Sequence, residues 1–267
     1  MRIAIDHETR YTYDAPVRTA TQYLRLVPRD TARQKVLDWT LDTPAPTVRT
    51  LDGYGNVLDV LTLDKPVSEI LIVAHGTVET SPAMDEPSDF AGPPLSPLVF
   101  LRATGLTQPD PAIAALAERF RNGARTLAGL RELAAAVGER IRAKIGETGF
   151  HRRAGDALAA GAGLPQDLAH VFIACCRHLA VPARYACGYV WLPERAGRPS
   201  VGHAWAEAWI AERWHSFDIA LGGSIGERHV KVAMGADHLD ACPIRGMRIG
   251  GGNEAMRVSA QVREQQS

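Results

Sequence analysis

The stretch Gly163-Leu164-Pro165-Gln166-Asp167-Leu168-Ala169-His170 constrains this chain most, because it starts a helix just ahead of a run of strands. Proline at 165 suits the first helical position. Its φ is already helical, and its missing N–H would have no intrahelical partner there. Asp167 in the first turn suits the positive end of the helix macrodipole. Leu168, Val171, Phe172, Cys175 and Leu179 then predict a largely buried helix, and Tyr185 to Trp191 predicts the strand after it. Farther on, His203-Ala204-Trp205-Ala206-Glu207-Ala208-Trp209 alternates, so His203, Trp205, Glu207 and Trp209 share one strand face. A turn at Ala211-Glu212-Arg213 leads into Trp214-His215-Ser216-Phe217-Asp218. Antiparallel pairing of these two strands sets Asp218 beside His203, where a carboxylate can orient an imidazole.

The first 85 residues predict a meander of short strands. Ile3, Ile5 and His7 alternate with Ala4, Asp6 and Glu8, and Asp14-Ala15-Pro16 ends that run. Tyr23 to Arg29, Val36 to Leu41, Val57 to Leu63 and Ile70 to Val78 supply further strands, with a hairpin turn at Asp52-Gly53-Tyr54-Gly55-Asn56. Even spacing of this kind predicts an antiparallel sandwich. His7, Asp14, Asp38 and Asp52 are scattered through it as surface and turn residues are. Residues 86–108, rich in proline, predict an irregular surface linker. Asp110 and Pro111 then cap a helix through Phe120, and a second runs from Leu127 to Ile145 with a charged outer face. His151 reads as a solvated loop residue that could border a cleft. A last strand is expected over Met256 to Val262.

Composition excludes several classes. The chain has 267 residues, 46% of them apolar, enough for a sizeable core, and 30 basic residues balance 30 acidic ones. That balance gives no electrostatic footprint for nucleic acid or for an anionic membrane. No apolar run is long enough to span a bilayer, and the N-terminus lacks the pattern of a signal peptide, so the cytoplasm is the expected compartment. The four cysteines, Cys175, Cys176, Cys187 and Cys242, show neither metal-ligand spacing nor a disulfide framework. His170, His203, Asp167 and Asp218 lack a metal signature such as HExxH, so no metal and no cofactor is expected.

Taken in order, the helix start, the His203 strand and the Asp218 strand resemble the core of the transglutaminase-like superfamily, whose fold is related to papain. Tyr11-Thr12-Tyr13, Leu24 to Arg29 and Asp52 to Asn56 likewise resemble the N-terminal domain of its bacterial members. Gly226 to Ala233 and the later glycine run Gly250-Gly251-Gly252 resemble its C-terminal part. The resemblance implies an α+β protein with an N-terminal β-domain over 1–85, a linker over 86–108 and a transglutaminase-like core over 109–267. It also implies a catalytic Cys, His and Asp. His203 and Asp218 stand at two of these positions, and Pro165 stands at that of the cysteine. Asp167 and His170 match positions whose implied role is structural, Gln166 lies beside them, and Trp205 fits either a cleft wall or a core aromatic.

Cysteine at a helix start is reactive because the dipole and a nearby imidazolium favour its thiolate. Proline offers no nucleophilic atom and no N–H for an oxyanion. The leading expectation is therefore a pseudoenzyme that binds a peptide or protein segment in the inherited cleft. A second is an amide hydrolase or ligase in which His203 and Asp218 activate water or an amine without an acyl-enzyme. A third is a cleft reused as a packing interface within an assembly. The four cysteines are expected to be inert.

Overall fold

β1 (Arg2–Leu24) is a single strand of 23 residues, and it is the spine of the first sheet. Ile3, Ile5, His7, Thr9, Tyr11 and Tyr13 alternate on its buried side. Asp14-Ala15-Pro16 does not end the strand, as the sequence suggested, but forms an irregular stretch within it where β1 changes partners. β2 (Gln34–Asp42), β3 (Thr47–Leu51), β4 (Val57–Leu63) and β5 (Val67–Thr80) follow. The predicted hairpin joins β3 to β4, and Gly55 supplies its positive φ of 84°. The structure is a computed structural model, and it describes residues 1–82, 95–144, 152–195, 202–223 and 225–265. Ile145 and His151 therefore lie outside the described residues.

Residues 86–94 of the proposed linker lie outside the described residues, and the remainder runs along the surface but is anchored at Phe100, Leu106 and Thr107. Residues Pro97–Leu101 form a 3₁₀ turn that buries Phe100 against Tyr54 and Trp214. Asp110 caps α1 (Pro111–Glu118), its Oδ1 accepting from Ile113 N–H at 2.8 Å. α2 (Leu127–Arg140) is capped by Thr126. β6 (Arg142–Ala143), α3 (Ala154–Ala160) and β7 (Ala162–Gly163) lead to α4 (Pro165–His178), with β6 and β7 pairing in parallel just before it. α4 is the central helix of the main core. Leu168, Val171, Phe172 and Cys175 are buried with Ala204, Ala206 and Ala208 of a second sheet. Small residues on that sheet face let the helix approach closely.

The second sheet has the order β10-β9-β8-β11, from β8 (Ala183–Val190), β9 (His203–Ile210), β10 (Arg213–Phe217) and β11 (His229–Gly235). Its edge strand β11 meets the N-terminal sheet in an unusual way. Gln34 donates to Lys231 C=O at 2.7 Å and accepts from Lys231 N–H at 2.8 Å. Asn56 does the same to Met234, at 2.7 and 2.8 Å. Two buried side-chain amides thus replace a neighbouring strand and satisfy backbone groups that an edge would leave open.

After the short α5 (His238–Ala241), β12 (Ile244–Gly250) and β13 (Glu254–Gln265) return to the first sheet and pair with the two halves of β1. Residues 244–265 therefore belong with the N-terminal strands and not with the core assigned to 109–267. The first sheet has seven strands, with β2, β5 and β13 flanking one end of the spine and β3, β4 and β12 the other. Tyr11, Val17, Leu24, Leu61, Leu63, Ile70 and Ile72 close the core between these ends. Ile3, Ile5 and Val78 pack onto Tyr189, Val230 and Val232 of the second sheet. The whole is α+β with mostly antiparallel sheets.

Candidate functional site

His203 opens β9 and pairs with Gly188 of β8. By alternation it lies on the sheet face opposite the alanines that receive α4. His203 Nε2 donates to Asp218 Oδ2 at 2.7 Å, and both side chains are buried. Asp218 follows β10 directly, held by backbone bonds in both directions with Gly223 at 2.7 and 3.0 Å. Its other oxygen accepts from Leu221 N–H at 3.0 Å. The expected pairing of His203 with Asp218 is thus present as a direct hydrogen bond.

A third group shares the carboxylate. His229, the first residue of β11, donates from Nε2 to the same Asp218 Oδ2 at 2.9 Å, and its Nδ1 accepts from Gly226 N–H at 3.2 Å. His229 lies within the stretch Gly226 to Ala233, to which the sequence assigned no chemistry. Burial alone would raise the Asp218 carboxyl, but the two histidine hydrogen bonds and their charge overcome it and hold the group well below the usual carboxylate range. Burial lowers His229 from its ordinary value, against the attraction of Asp218, so it favours the neutral ring.

Trp205 is fully buried among Ala186, Ile225 and Met234, its ring centroid 5.6 Å from that of His229. It is a core aromatic that walls the histidines. Next along the same face, Glu207 is a buried carboxylate with two cations. Arg184 reaches its Oε2 at 2.6 Å and Lys231 its Oε1 at 2.6 Å. The Arg184 guanidinium also lies 3.8 Å over the ring of Trp214. This network was not foreseen, although Glu207 was placed on the right face. Gly188 is required here, because a Cβ would meet Val230 C=O at 1.9 Å.

Pro165 occupies the first position of α4 and is buried. Asp167 folds back so that its Oδ2 accepts from Leu164 N–H at 2.9 Å, tying off the helix start. Gly163 makes room for that turn, since a Cβ there would meet the Asp167 side chain at 2.9 Å. Gln166 is half-buried. His170 is fully buried, stacks 5.3 Å from Tyr185 and accepts His238 N–H on Nε2 at 3.1 Å, which links α4 to α5. These contacts are structural in kind.

The thiols are engaged elsewhere. Cys175 Sγ lies 3.8 Å from Ile113 C=O and Cys187 Sγ 3.3 Å from Ala241 C=O. Cys187 pairs with Ala204 and so points to the face opposite His203. Burial pushes the Cys175 and Cys187 thiols up to about 12, and also raises Cys176 and Cys242. A groove of about 520 Å³ runs between α2 and residues 216–223. It borders Asp218, with Arg131 and Glu139 at its rim and Ala135, Phe217 and Leu221 along its walls, and it does not reach His203, His229 or Pro165.

Residues 3–79 match the bacterial transglutaminase-like N-terminal region, and residues 114–219 match the transglutaminase-like superfamily. An uncharacterized protein of Mycobacterium leprae (strain TN) is 28% identical, with 98% of each chain covered. One of Mycobacterium tuberculosis (strain ATCC 25618 / H37Rv) is 27% identical over 92% of this chain and 87% of its own. In fold, the chain is similar to "a Putative Cysteine Protease from Cytophaga hutchinsonii", with a TM-score of 0.73, 20% identity, and coverage of 100% of this chain and 92% of that one. The chain belongs to the transglutaminase-like superfamily, with the bacterial N-terminal region ahead of its core.

Proposed function

We propose that this protein is a transglutaminase-like pseudoenzyme that binds an extended peptide or protein segment without acyl transfer. The observation that carries this reading is the chemistry at the helix start. Pro165 has neither a nucleophilic atom nor an N–H, and loss of one oxyanion donor alone typically costs ~3 kcal/mol of transition-state stabilisation. All four cysteines are turned into other contacts, with thiols raised by burial. The groove beside Asp218 combines an apolar lining with one basic residue, Arg131, and two acidic ones, Glu139 and Asp218, which suits a peptide backbone with mixed side chains. The four unpaired thiols fit a reducing cytoplasm.

The test has two arms. Amine incorporation and peptide hydrolysis are measured for the wild type, His203→Ala and Pro165→Cys. The expected result is no turnover by the first two and thiol-dependent turnover by Pro165→Cys. Wild-type turnover that vanishes in His203→Ala would overturn the proposal. Peptide binding is followed by fluorescence polarisation, and Ala135→Trp, which fills the groove from its exposed wall, should abolish it.

A second reading has a specific observation of its own. The hydrogen bond from His203 to Asp218 is intact at 2.7 Å, as an acid–base pair acting on water or an amine would need. Turnover in the wild type that resists thiol alkylation would favour this reading over the first.

A further inference from the structure

Two histidines on one carboxylate oxygen invite two explanations, a metal site and a hydrogen-bond array. One ring nitrogen from each of His203 and His229 and an Asp218 oxygen lie within 4.8 Å of one another, and two imidazoles with a carboxylate are a common donor set for a transition metal. The second bonds of His229 decide between them. A metal on Nε2 needs that nitrogen's lone pair, so the ring proton would sit on Nδ1, where ligating histidines present a donor to an acceptor. Here Nδ1 faces a donor, Gly226 N–H, at 3.2 Å. A proton on Nδ1 would oppose that N–H. The ring is therefore the Nε2–H tautomer, which can donate to Asp218 while remaining neutral.

We infer that His229 is a positioning residue: a neutral second donor that fixes Asp218 Oδ2, the acceptor that orients His203. The inference rests on the reading of His203 and Asp218 as the inherited acid–base pair. Geometry supplies its parts. Asp218 comes from the end of β10, His203 from β9 and His229 from β11, so three strands meet at one oxygen. Trp205, fully buried, packs against both rings, with centroids 6.4 Å from His203 and 5.6 Å from His229. The charged groups facing His229 are Asp218, His203 and Arg33, the last from the segment before β2. A carboxylate oxygen shared between two donors offers less to each, so the hydrogen bond from His203 is weaker than it would be with Asp218 to itself.

The experiment reads ring protonation, not turnover, so it is independent of whether the protein is an enzyme. Long-range ¹H–¹⁵N spectra of the histidines are recorded against pH for the wild type, His229→Gln and His229→Phe. Gln keeps an N–H donor, whereas Phe keeps the ring shape without one. His229 should be the Nε2–H tautomer in the wild type. The His203 Nε2–H proton should shift downfield in His229→Phe, where its hydrogen bond to Asp218 is no longer shared, and return towards the wild-type position in His229→Gln. An Nδ1–H tautomer at His229, an unmoved His203 Nε2–H signal in the Phe variant, or stoichiometric zinc binding that removes both Nε2–H signals would each overturn the proposal. Should the Phe variant fail to fold, the wild-type tautomer and the Gln variant still decide. If these results hold while every activity assay is negative, the array stands and only the acid–base reading falls.

Discussion

Acid should destabilise this protein through a histidine far from the candidate site. His7 is 5% exposed, with Nδ1 2.5 Å from Tyr189 Oη and Nε2 3.1 Å from Thr9 Oγ1. It therefore joins the first sheet to the second. Burial lowers it from 6.5 to about 4, against a small opposing pull from Asp6. The sign follows directly. Between these values the unfolded chain binds a proton that the folded chain refuses, so stability falls as pH drops below about 6.5 and levels off below about 4. At 1.36 kcal/mol per pH unit the full loss is about 3 kcal/mol, of which roughly 2 kcal/mol falls between pH 7 and 4.5. Against a total stability on the order of 5–15 kcal/mol this is easily measured.

Urea unfolding of the wild type and His7→Gln at a series of pH values isolates the effect. Asp218 and His229 also lose favourable interactions in acid, but they do so in both proteins. The Gln variant should be less stable at pH 7, because it fits Tyr189 and Thr9 less well, and should lose roughly 2 kcal/mol less than the wild type on going to pH 4.5. Parallel curves for the two proteins would refute the reasoning and show that His7 takes up its proton in the folded state.

Three other outcomes follow from buried polar groups. Glu207→Gln leaves the Arg184 and Lys231 charges buried without their carboxylate, and should cost about 3–5 kcal/mol in denaturant unfolding. Asn56→Ala removes both partners of the Met234 backbone on the edge of β11 and should cost about 2–4 kcal/mol, measured in the same way. A thiol-reactive chromophore at neutral pH should label Cys175, Cys176 and Cys187 only on unfolding, and more than one fast-reacting thiol in the native protein would contradict the burial of these three groups.

Much of the candidate site was legible because strand alternation carries through its residues. His203, Trp205 and Glu207 do share a face, and Asp218 does meet His203, since period-two geometry leaves little choice once the two strands pair. His229 escaped because its partners are set by β11 returning beside β8, a long-range pairing that local pattern does not encode. The same limit applies to β12 and β13, whose pairing with β1 spans nearly the whole chain. His7 is a different case. Its alternation with Ile3 and Ile5 already put it on the buried face, and the habit of placing histidine on the surface overrode that signal. Pro16 suggested a strand end because it lacks an N–H, yet β1 tolerates it at the point where it exchanges one set of neighbours for another.

Why does this chain hold His203 and Asp218 in direct contact? An argument from chemistry takes their presence as a sign of activity. Energetics gives another reason. Asp218 is 1% exposed, and its two oxygens accept from His203, His229 and Leu221 N–H. Removing one partner of a buried, hydrogen-bonded charge costs about 3–5 kcal/mol, a large share of the stability of a typical domain. Pro165 carries no such penalty. At the first turn of α4 its ring fits the helical φ and its missing N–H leaves no bond unmade. Proline at 165 is therefore compatible with folding, whereas loss of either His203 or Asp218 would leave its buried partner without its bond, so the pair is explained by the fold whether or not a proton moves between them.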